Sequence, residues 1–484
     1  MKHYISTLLL LIVTHFCISQ NSIQKAIDAL KNDPALKHAT ISFLVKDIDK
    51  DTVIAALNQT TSLVPASTMK IFSTATALEL LSSYHKFKTY LQYDGYIDSN
   101  CTLHGNIYIK GGGDPTLGGR YLKNNLLIEK WSDAVSSLGI NKIDGRIIGD
   151  ASYFSYEYVP STWSWSDMGN YYGTGISGLS VHDNTTHFYF DSGKNKGDST
   201  VVECFEPYTP DLEVRNKVKS WTTKKDLAYI YGAPYDGLRT IKGRIPLDKT
   251  KFDVRGSMHE PAYTAAFELE SLLWKNGIEV SLPSTTTRRL ENEDLLIKTK
   301  RITFDTLKSP SISKIIYWTN LYSNNLFAEH LLRHIGVAKY KDGSVFSSTL
   351  AISNYWKRKG LLKSGFYVSD GSGLSRFNAV SAEHLVEVLT YMKKKSKYSK
   401  TFYSSLPIAG KTGTLRTIGR KTKIQGNLRA KSGTMTRIKS YAGYVKSASG
   451  KNLCFAIIVN NHTCNGLQIK KKMEKIMVSL GNYY

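Results

Sequence analysis

The chain has 484 residues, of which 41% are hydrophobic, 11% aromatic and 21% charged, with a formal net charge of +24. At roughly 100–200 residues per domain that length exceeds a single domain, and the apolar and aromatic content excludes wholesale disorder. Beyond the N-terminus no apolar run reaches the roughly 18 residues of a membrane span, which excludes an integral membrane protein and leaves the +24 as a pull on an anionic partner or surface.

The chain starts with Lys2 and His3, then an apolar stretch from Tyr4 to Cys17 that contains Leu8, Leu9, Leu10, Leu11, Ile12 and Val13. This pattern reads as a secretory signal peptide over residues 1–19, with Cys17 and Ser19 at the −3 and −1 positions of a cleavage before Gln20. Lipidation at Cys17 is the competing reading, and the bulky Thr14, His15 and Phe16 in front of it weigh against that. Four cysteines follow: Cys101, Cys204, Cys454 and Cys464. No C-x-x-C pair occurs, so a zinc ribbon and a thioredoxin-like motif are both excluded. Spacing leaves open whether Cys454 and Cys464 are bridged or are free thiols.

Ile23, Ala26, Ile27 and Leu30 follow the spacing of an amphipathic helix. Thr40 to Val45 and Thr52 to Leu57 read as a hairpin around the polar Lys46 to Asp51. After Pro65 a second helix places Ile71, Ala75 and Leu78 on one face. From about 87 to 304 the composition changes to Tyr, Gly and Asp with short strand-like stretches. Near the other end, Ser440 to Val445 and Leu453 to Val459 read as two strands. A final helix follows, with Ile469, Met473, Ile476, Met477 and Leu480 on one face. Helices at both termini with strands just inside them predict one α/β layer domain built from residues 21–86 and 305–484. Residues 87–304 are then an inserted accessory region of two small subdomains.

The chemistry concentrates in three short motifs. Ser67-Thr68-Met69-Lys70 opens the second helix, and a serine and lysine three apart share one helix face. A lysine there can take the serine proton once desolvation or a neighbouring cation has lowered its pKa. Alone, S-x-x-K is a weak signal that occurs by chance in most chains of this size, and an N-cap serine followed by a surface lysine explains it better. Its company changes the reading: Ser323-Asn324-Asn325 precedes an apolar helical run, and Lys431-Ser432-Gly433-Thr434 precedes the C-terminal strand pair. These match the S-x-x-K, S-D-N and K-T-G set of serine acyl-transfer enzymes that bind penicillin. Lys411-Thr412-Gly413-Thr414 fits the third motif better by letters, but no strand pair follows it, so the third motif is assigned to Lys431.

With these motifs the chain resembles the class C low-molecular-mass penicillin-binding proteins, the family of D-alanyl-D-alanine carboxypeptidases and endopeptidases. Gly111 to Leu117, Ile148-Gly149-Asp150, Asp370 to Arg376 and Leu406 to Leu415 extend the resemblance over essentially the whole mature chain. The resemblance implies an α/β fold: a penicillin-binding-protein or serine β-lactamase-like catalytic domain, an antiparallel sheet flanked by helices, split by a large, mainly β insertion. It implies Ser67 as nucleophile, Lys70 as general base, Ser323 as proton relay and Asn325 as holder of the substrate amide. Lys431 would bind the terminal carboxylate, assisted by Ser432 and Thr434. The backbone N–H groups of Ser67 and Thr434 would form the oxyanion hole around Gly433. Asp167, Tyr172, Arg376 and Met435 fall at the positions of the family's side-chain pocket.

The implied substrates are peptidoglycan stem peptides cleaved at D-Ala–D-Ala, with endopeptidase cleavage as a second reaction and β-lactams as inhibitors. No metal or organic cofactor is implied, and no nucleic-acid partner. The implied location is across the inner membrane, periplasmic or wall-associated, with peripheral contact to wall or membrane. A serine β-lactamase and an idle wall-binding protein are the rivals. The long insertion disfavours the first, and joint retention of Ser67, Lys70, Ser323, Asn325 and Lys431 disfavours the second. His330 and His334, four apart on a helix, lack the H-E-x-x-H glutamate and read as helix-surface residues rather than zinc ligands.

Overall fold

A computed structural model describes residues 22–122, 126–361 and 364–484. The signal-peptide reading over residues 1–19, with Cys17 and Ser19, lies outside the described residues. The chain divides into two compact units. One holds residues 22–84 together with Ile312–Lys339 and Phe346–Tyr484; the other holds His85–Ser311 and Tyr340–Val345.

The first unit is built on a five-stranded sheet in the spatial order Arg429–Met435, Ile438–Lys446, Asn452–Asn460, Thr40–Asp47, Thr52–Leu57. Every neighbouring pair is antiparallel. The N-terminal hairpin therefore completes a sheet begun by the C-terminal strands, with Ile41 opposite Val459 and Val45 opposite Phe455. Side chains alternate between faces with period two. Phe43, Val45, Phe455 and Ile457 meet Ile23, Ile27 and Leu30 of helix 22–31 and Met473, Ile476 and Leu480 of helix Gly466–Gly481 in one core. Cys454 points to the other face, its Sγ 3.8 Å from the Val386 carbonyl of helix Ala382–Lys394. Helices thus cover both faces of the sheet, and the strand Asn452–Asn460 is apolar almost throughout.

The second unit is mainly β and has two main apolar cores. One lies around helices Leu127–Ser136 and Pro261–Lys275, where Trp131 and Leu269 pack with Ile107 and Ile147. The other lies between two three-stranded sheets and contains Phe188, Phe190, Ile230, Ile241 and Val254.

Two sequence expectations need correction, and one question that spacing left open, the state of the cysteines, is answered. The boundaries at 87 and 304 cut the strand Ile302–Lys308, which pairs antiparallel with Lys88–Tyr93; its ladder hydrogen bonds tie it to the second unit, which runs from 85 to 311. His330 and His334 are buried inside helix Asn325–Tyr340 rather than on its surface, and His330 Nδ1 lies 2.9 Å from the Leu326 carbonyl. Cys101, Cys204, Cys454 and Cys464 are free thiols, so the Cys454–Cys464 bridge is not formed.

The boundary finding is testable on fragments. Excised residues 85–311 are expected to melt above excised 87–304 by at least about 4 °C, the shift that ~2 kcal/mol produces in a domain of this size. Calorimetry of the two fragments measures this.

Candidate active site

Ser67 lies in a 3-10 turn, Ala66–Met69, that leads into the α-helix Lys70–Leu81. In a 3-10 turn residues three apart eclipse one another. Lys70 Nζ accordingly donates to Ser67 Oγ at 3.1 Å. The turn is bolted to the strand next to the sheet edge: Ser440 Oγ donates to the Pro65 carbonyl at 2.6 Å, and Thr68 Oγ1 lies 3.2 Å from Ser440 Oγ. Between them Gly433 is required by space, since a Cβ there would sit 2.7 Å from the Pro65 carbonyl oxygen and 2.9 Å from the Ser67 backbone nitrogen. Ala66 has φ 47°, a left-handed conformation that costs a non-glycine residue about 1–3 kcal/mol and that surrounding contacts must enforce.

Lys70 is fully buried. Besides Ser67 it donates to Asn325 Oδ1 at 2.6 Å and to the Ser372 carbonyl at 2.6 Å. Burial, opposed by the charges of Asp370 and Glu329, lowers its pKa to about 7. Both carboxylates grip the loop that supplies the carbonyl. Glu329 accepts from the backbone N–H of Gly371 at 3.1 Å and of Ser372 at 2.7 Å. Asp370 accepts from Gly373 N at 2.8 Å and Ser375 N at 2.6 Å. Burial pushes the Glu329 carboxyl well above the usual carboxylate range, and the Asp370 charge pushes it the same way.

Ser323 and Asn325 enter from the start of helix Asn325–Tyr340, where Asn324 Oδ1 accepts the Phe327 N–H at 3.0 Å and caps the first turn. Ser323 has φ 60°, the second strained residue of the site. Its Oγ accepts from Lys431 Nζ at 2.8 Å, and Lys431 also donates to the Ser432 carbonyl at 2.8 Å. Lys431 is fully buried, and burial together with the Lys70 and Lys439 charges pushes its pKa well down. Ser432 Oγ donates to Thr414 Oγ1 at 2.9 Å, and Lys439 Nζ donates to Thr434 Oγ1 at 2.6 Å. Burial, then the Lys470 charge, lowers Lys439 to about 8. Apart from a bridge between Arg429 and Ile408, the outer side of strand Arg429–Met435 is unpaired among the described residues. Such an edge accepts an extended peptide by strand addition.

The structure thus brings Ser67, Lys70, Ser323, Asn325, Lys431, Ser432, Gly433 and Thr434 into one site in the first unit. Met435 ends the same edge strand, and Arg376 is exposed in the loop after Asp370. Asp167 and Tyr172 lie in the second unit, where Tyr172 Oη donates to Asp167 Oδ1 at 3.1 Å. Lys411 is exposed and forms no hydrogen bond with Ser67, Lys70, Ser323 or Lys431. Its neighbour Thr414 does, a residue that sequence reasoning passed over. Glu329, Asp370 and Lys439 were also missed as site residues. No group of acidic, histidine or cysteine side chains arranged to hold a metal occurs among the described residues.

The model of the D-Ala-D-Ala carboxypeptidase 3 (S13) family matches residues 23–481. The D-alanyl-D-alanine carboxypeptidase of Actinomadura sp. (strain R39) is 28% identical over 91% of this chain and 81% of its own length. The D-alanyl-D-alanine carboxypeptidase DacB of Haemophilus influenzae is 26% identical over 92% of this chain and 90% of its own. The crystal structure of penicillin-binding protein 4 from Haemophilus influenzae superposes with a TM-score of 0.78 at 21% identity, covering 95% of this chain and 99% of that one. The same protein complexed with a β-lactam superposes with a TM-score of 0.73 at 22% identity, covering 94% and 97%.

Three outcomes follow from the geometry. Gly433→Ala is expected to slow acylation by labelled penicillin by at least about a hundredfold, the scale of losing one oxyanion donor, with the circular dichroism spectrum unchanged. Only neutral Lys70 can take the Ser67 proton, so the acylation rate constant is expected to level off above pH 7 and to fall about tenfold per unit below it. In Glu329→Gln a charge that holds Lys70 protonated is gone. The acid limb is then expected to move to lower pH while the plateau drops, because the Ser372 carbonyl loses its anchor; a stopped-flow pH profile measures both.

Proposed function

Because the chain belongs to the D-Ala-D-Ala carboxypeptidase 3 (S13) family and is a serine-type D-Ala-D-Ala carboxypeptidase of the penicillin-binding fold, we propose that its reaction runs through an acyl-enzyme on Ser67. The observation that carries this is the buried amine of Lys70, 3.1 Å from Ser67 Oγ and with its pKa lowered to about 7.

Ser67 Oγ attacks the carbonyl of the penultimate D-alanine as Lys70 accepts its proton. The oxyanion is held by the backbone N–H groups of Ser67 and Thr434. Ser323, bonded to Lys431, gives its proton to the nitrogen of the departing D-alanine as the C–N bond breaks and takes in its place the proton that Lys70 received from Ser67, which leaves Lys70 neutral again. Asn325 positions the substrate amide. Lys431 and Lys439, beside the hydroxyls of Ser432 and Thr434, give the terminal carboxylate a cationic seat on the edge strand. Water then attacks the ester, Lys70 again taking the proton, and the shortened stem leaves.

Cleavage of a D-alanyl cross-link uses the same bonds with a longer leaving group, so endopeptidase activity is a second reaction of the same site. A β-lactam ring presents its carbonyl in the same place and is expected to acylate Ser67. On the first unit we assign recognition of the third stem residue to Arg376, in the loop after Asp370, and Met435, at the end of the edge strand. The apolar segment before Gln20 supports export across the inner membrane, to a periplasmic or wall-associated location.

Incubation with labelled penicillin and mass spectrometry of the peptides tests the reading. A long-lived adduct on the Ser67 peptide, absent in Ser67→Ala, is expected; rapid drug turnover without an adduct would favour a β-lactamase. Lys431→Ala is expected to lower the acylation rate constant by at least about a hundredfold, whereas Lys411→Ala leaves it within about twofold. The reverse ranking would move the third motif to Lys411.

A further inference from the structure

In the second unit, the sheet made of Glu213–Trp221, Leu238–Pro246 and Tyr229–Tyr231 turns Val218, Ile230, Ile241 and Ile245 into an apolar core. The two-residue alternation then puts Arg215, Lys217, Lys219, Lys242 and Arg244 on the other face, and all five are exposed. Register makes this arrangement costly: Lys217 stands opposite Lys242, and Lys219 opposite Arg244. Like charges directly opposite one another on neighbouring strands destabilise a sheet. None of the five forms an ion pair among the described residues, and the one hydrogen bond of their charged ends there goes from Lys219 Nζ to the neutral Ser199 Oγ at 3.0 Å.

Aromatic rings beside this strip lie against two of its cations, Arg244 and Lys242, and against the neighbouring Lys196. The Arg244 guanidinium lies 3.9 Å from the Trp221 ring centroid, Lys196 Nζ lies 4.3 Å from the same ring, and Lys242 Nζ lies 5.5 Å from Tyr231. Ring faces already engaged by cations are poor stacking platforms for nucleic-acid bases, which separates this face from a single-strand groove. The face thus presents five exposed cations that form no ion pair among the described residues, with Glu213 as the acidic residue at the end of the same strand face, and it suits a repeating array of carboxylates.

We propose that this sheet face docks the peptidoglycan polymer itself, through the free carboxylates of its stem peptides, as an exosite in the unit that does not carry Ser67. The inference rests on the D-Ala-D-Ala carboxypeptidase reading for the identity of the polymer, and it accounts for the like-charge pairs that folding alone disfavours. The polymer's charge neutralises the strip, and many weak contacts on one chain hold the enzyme to an insoluble substrate.

The test is co-sedimentation of the full chain with purified peptidoglycan sacculi, with Ser67→Ala in every protein to prevent turnover. The quadruple change Lys217→Gln, Lys219→Gln, Lys242→Gln, Arg244→Gln is expected to weaken binding at least about tenfold, the combined effect of several surface charge contacts. Binding of the parent is expected to fall when salt is raised to about 0.3 M, where screening shortens the reach of surface charges. With Ser67 restored, the quadruple variant is expected to hydrolyse a soluble D-Ala-D-Ala peptide at the parent rate and to melt no lower. That soluble assay separates failure of the exosite from failure of the catalytic reading. Should the quadruple variant fold poorly, Lys217→Gln with Lys242→Gln decides by the same partition. Undiminished binding by the variants, salt-insensitive binding by the parent, or a parent preference for single-stranded DNA or anionic lipid vesicles over sacculi would each overturn the proposal.

Discussion

The site depends on a lysine amine held out of water. An isolated ammonium in a protein interior is costly enough that the group sheds its proton instead. Lys70 is kept near the balance point by its surroundings: three oxygen acceptors within 3.1 Å solvate it, while the Asp370 and Glu329 charges oppose the desolvation that lowers its pKa. A carboxylate in direct contact would hold the lysine protonated at neutral pH and leave Ser67 without a base. Both carboxylates are instead occupied with backbone N–H groups of the loop from 371 to 375. They reach Lys70 through the field and through the Ser372 carbonyl they position.

That requirement explains the architecture of the first unit. The acceptors around Lys70 come from its own turn, from the start of helix Asn325–Tyr340 and from the 370–376 loop, and the third motif comes from the edge strand. These segments are distant in sequence, and a sheet closed by both chain ends brings them together. The tolerances are small. Gly433 leaves no room for a methyl group against Pro65 and Ser67, and a Cβ on Gly373 would sit 1.9 Å from the Ala66 carbonyl oxygen. Two left-handed residues, Ala66 and Ser323, flank the reacting atoms. Backbone strain of this kind persists where packing over-determines it, and here the Ser440 hydroxyl and the Gly373 turn do so.

Much of this was legible in the sequence because the signals were local. Period-two and period-3.6 patterns marked the strands and helices at both ends, and strand adjacency picked out Lys431 over Lys411. What stayed hidden was non-local or carried by the backbone. The Ser372 carbonyl has no side-chain signature. Glu329 sits in a helix beside Leu326, Ala328 and His330, where its burial follows only from the partner loop. Thr414 lay within the stretch set aside with Lys411, yet its hydroxyl accepts from Ser432. The strand Ile302–Lys308 is recognised as part of the second unit only through its pairing with Lys88–Tyr93, more than two hundred positions earlier. His330 and His334 followed a surface spacing, but the apolar face of their helix is wide enough to bury both.

The second buried lysine gives the proposed mechanism a link between binding and base strength. Lys431 has its pKa pushed down by burial and by the Lys70 charge, and the repulsion is mutual. In the empty site a proton on either amine therefore discourages one on the other. A substrate carboxylate arriving beside Lys431 supplies the missing counter-charge and favours its protonated form. Full charge on Lys431 then presses Lys70 further towards the neutral amine that Ser67 needs. A ligand lacking the terminal carboxylate would occupy the cleft without this push. Selection for a free C-terminus would in that case act on the basicity of Lys70 as well as on affinity, through two amines that share one dry pocket.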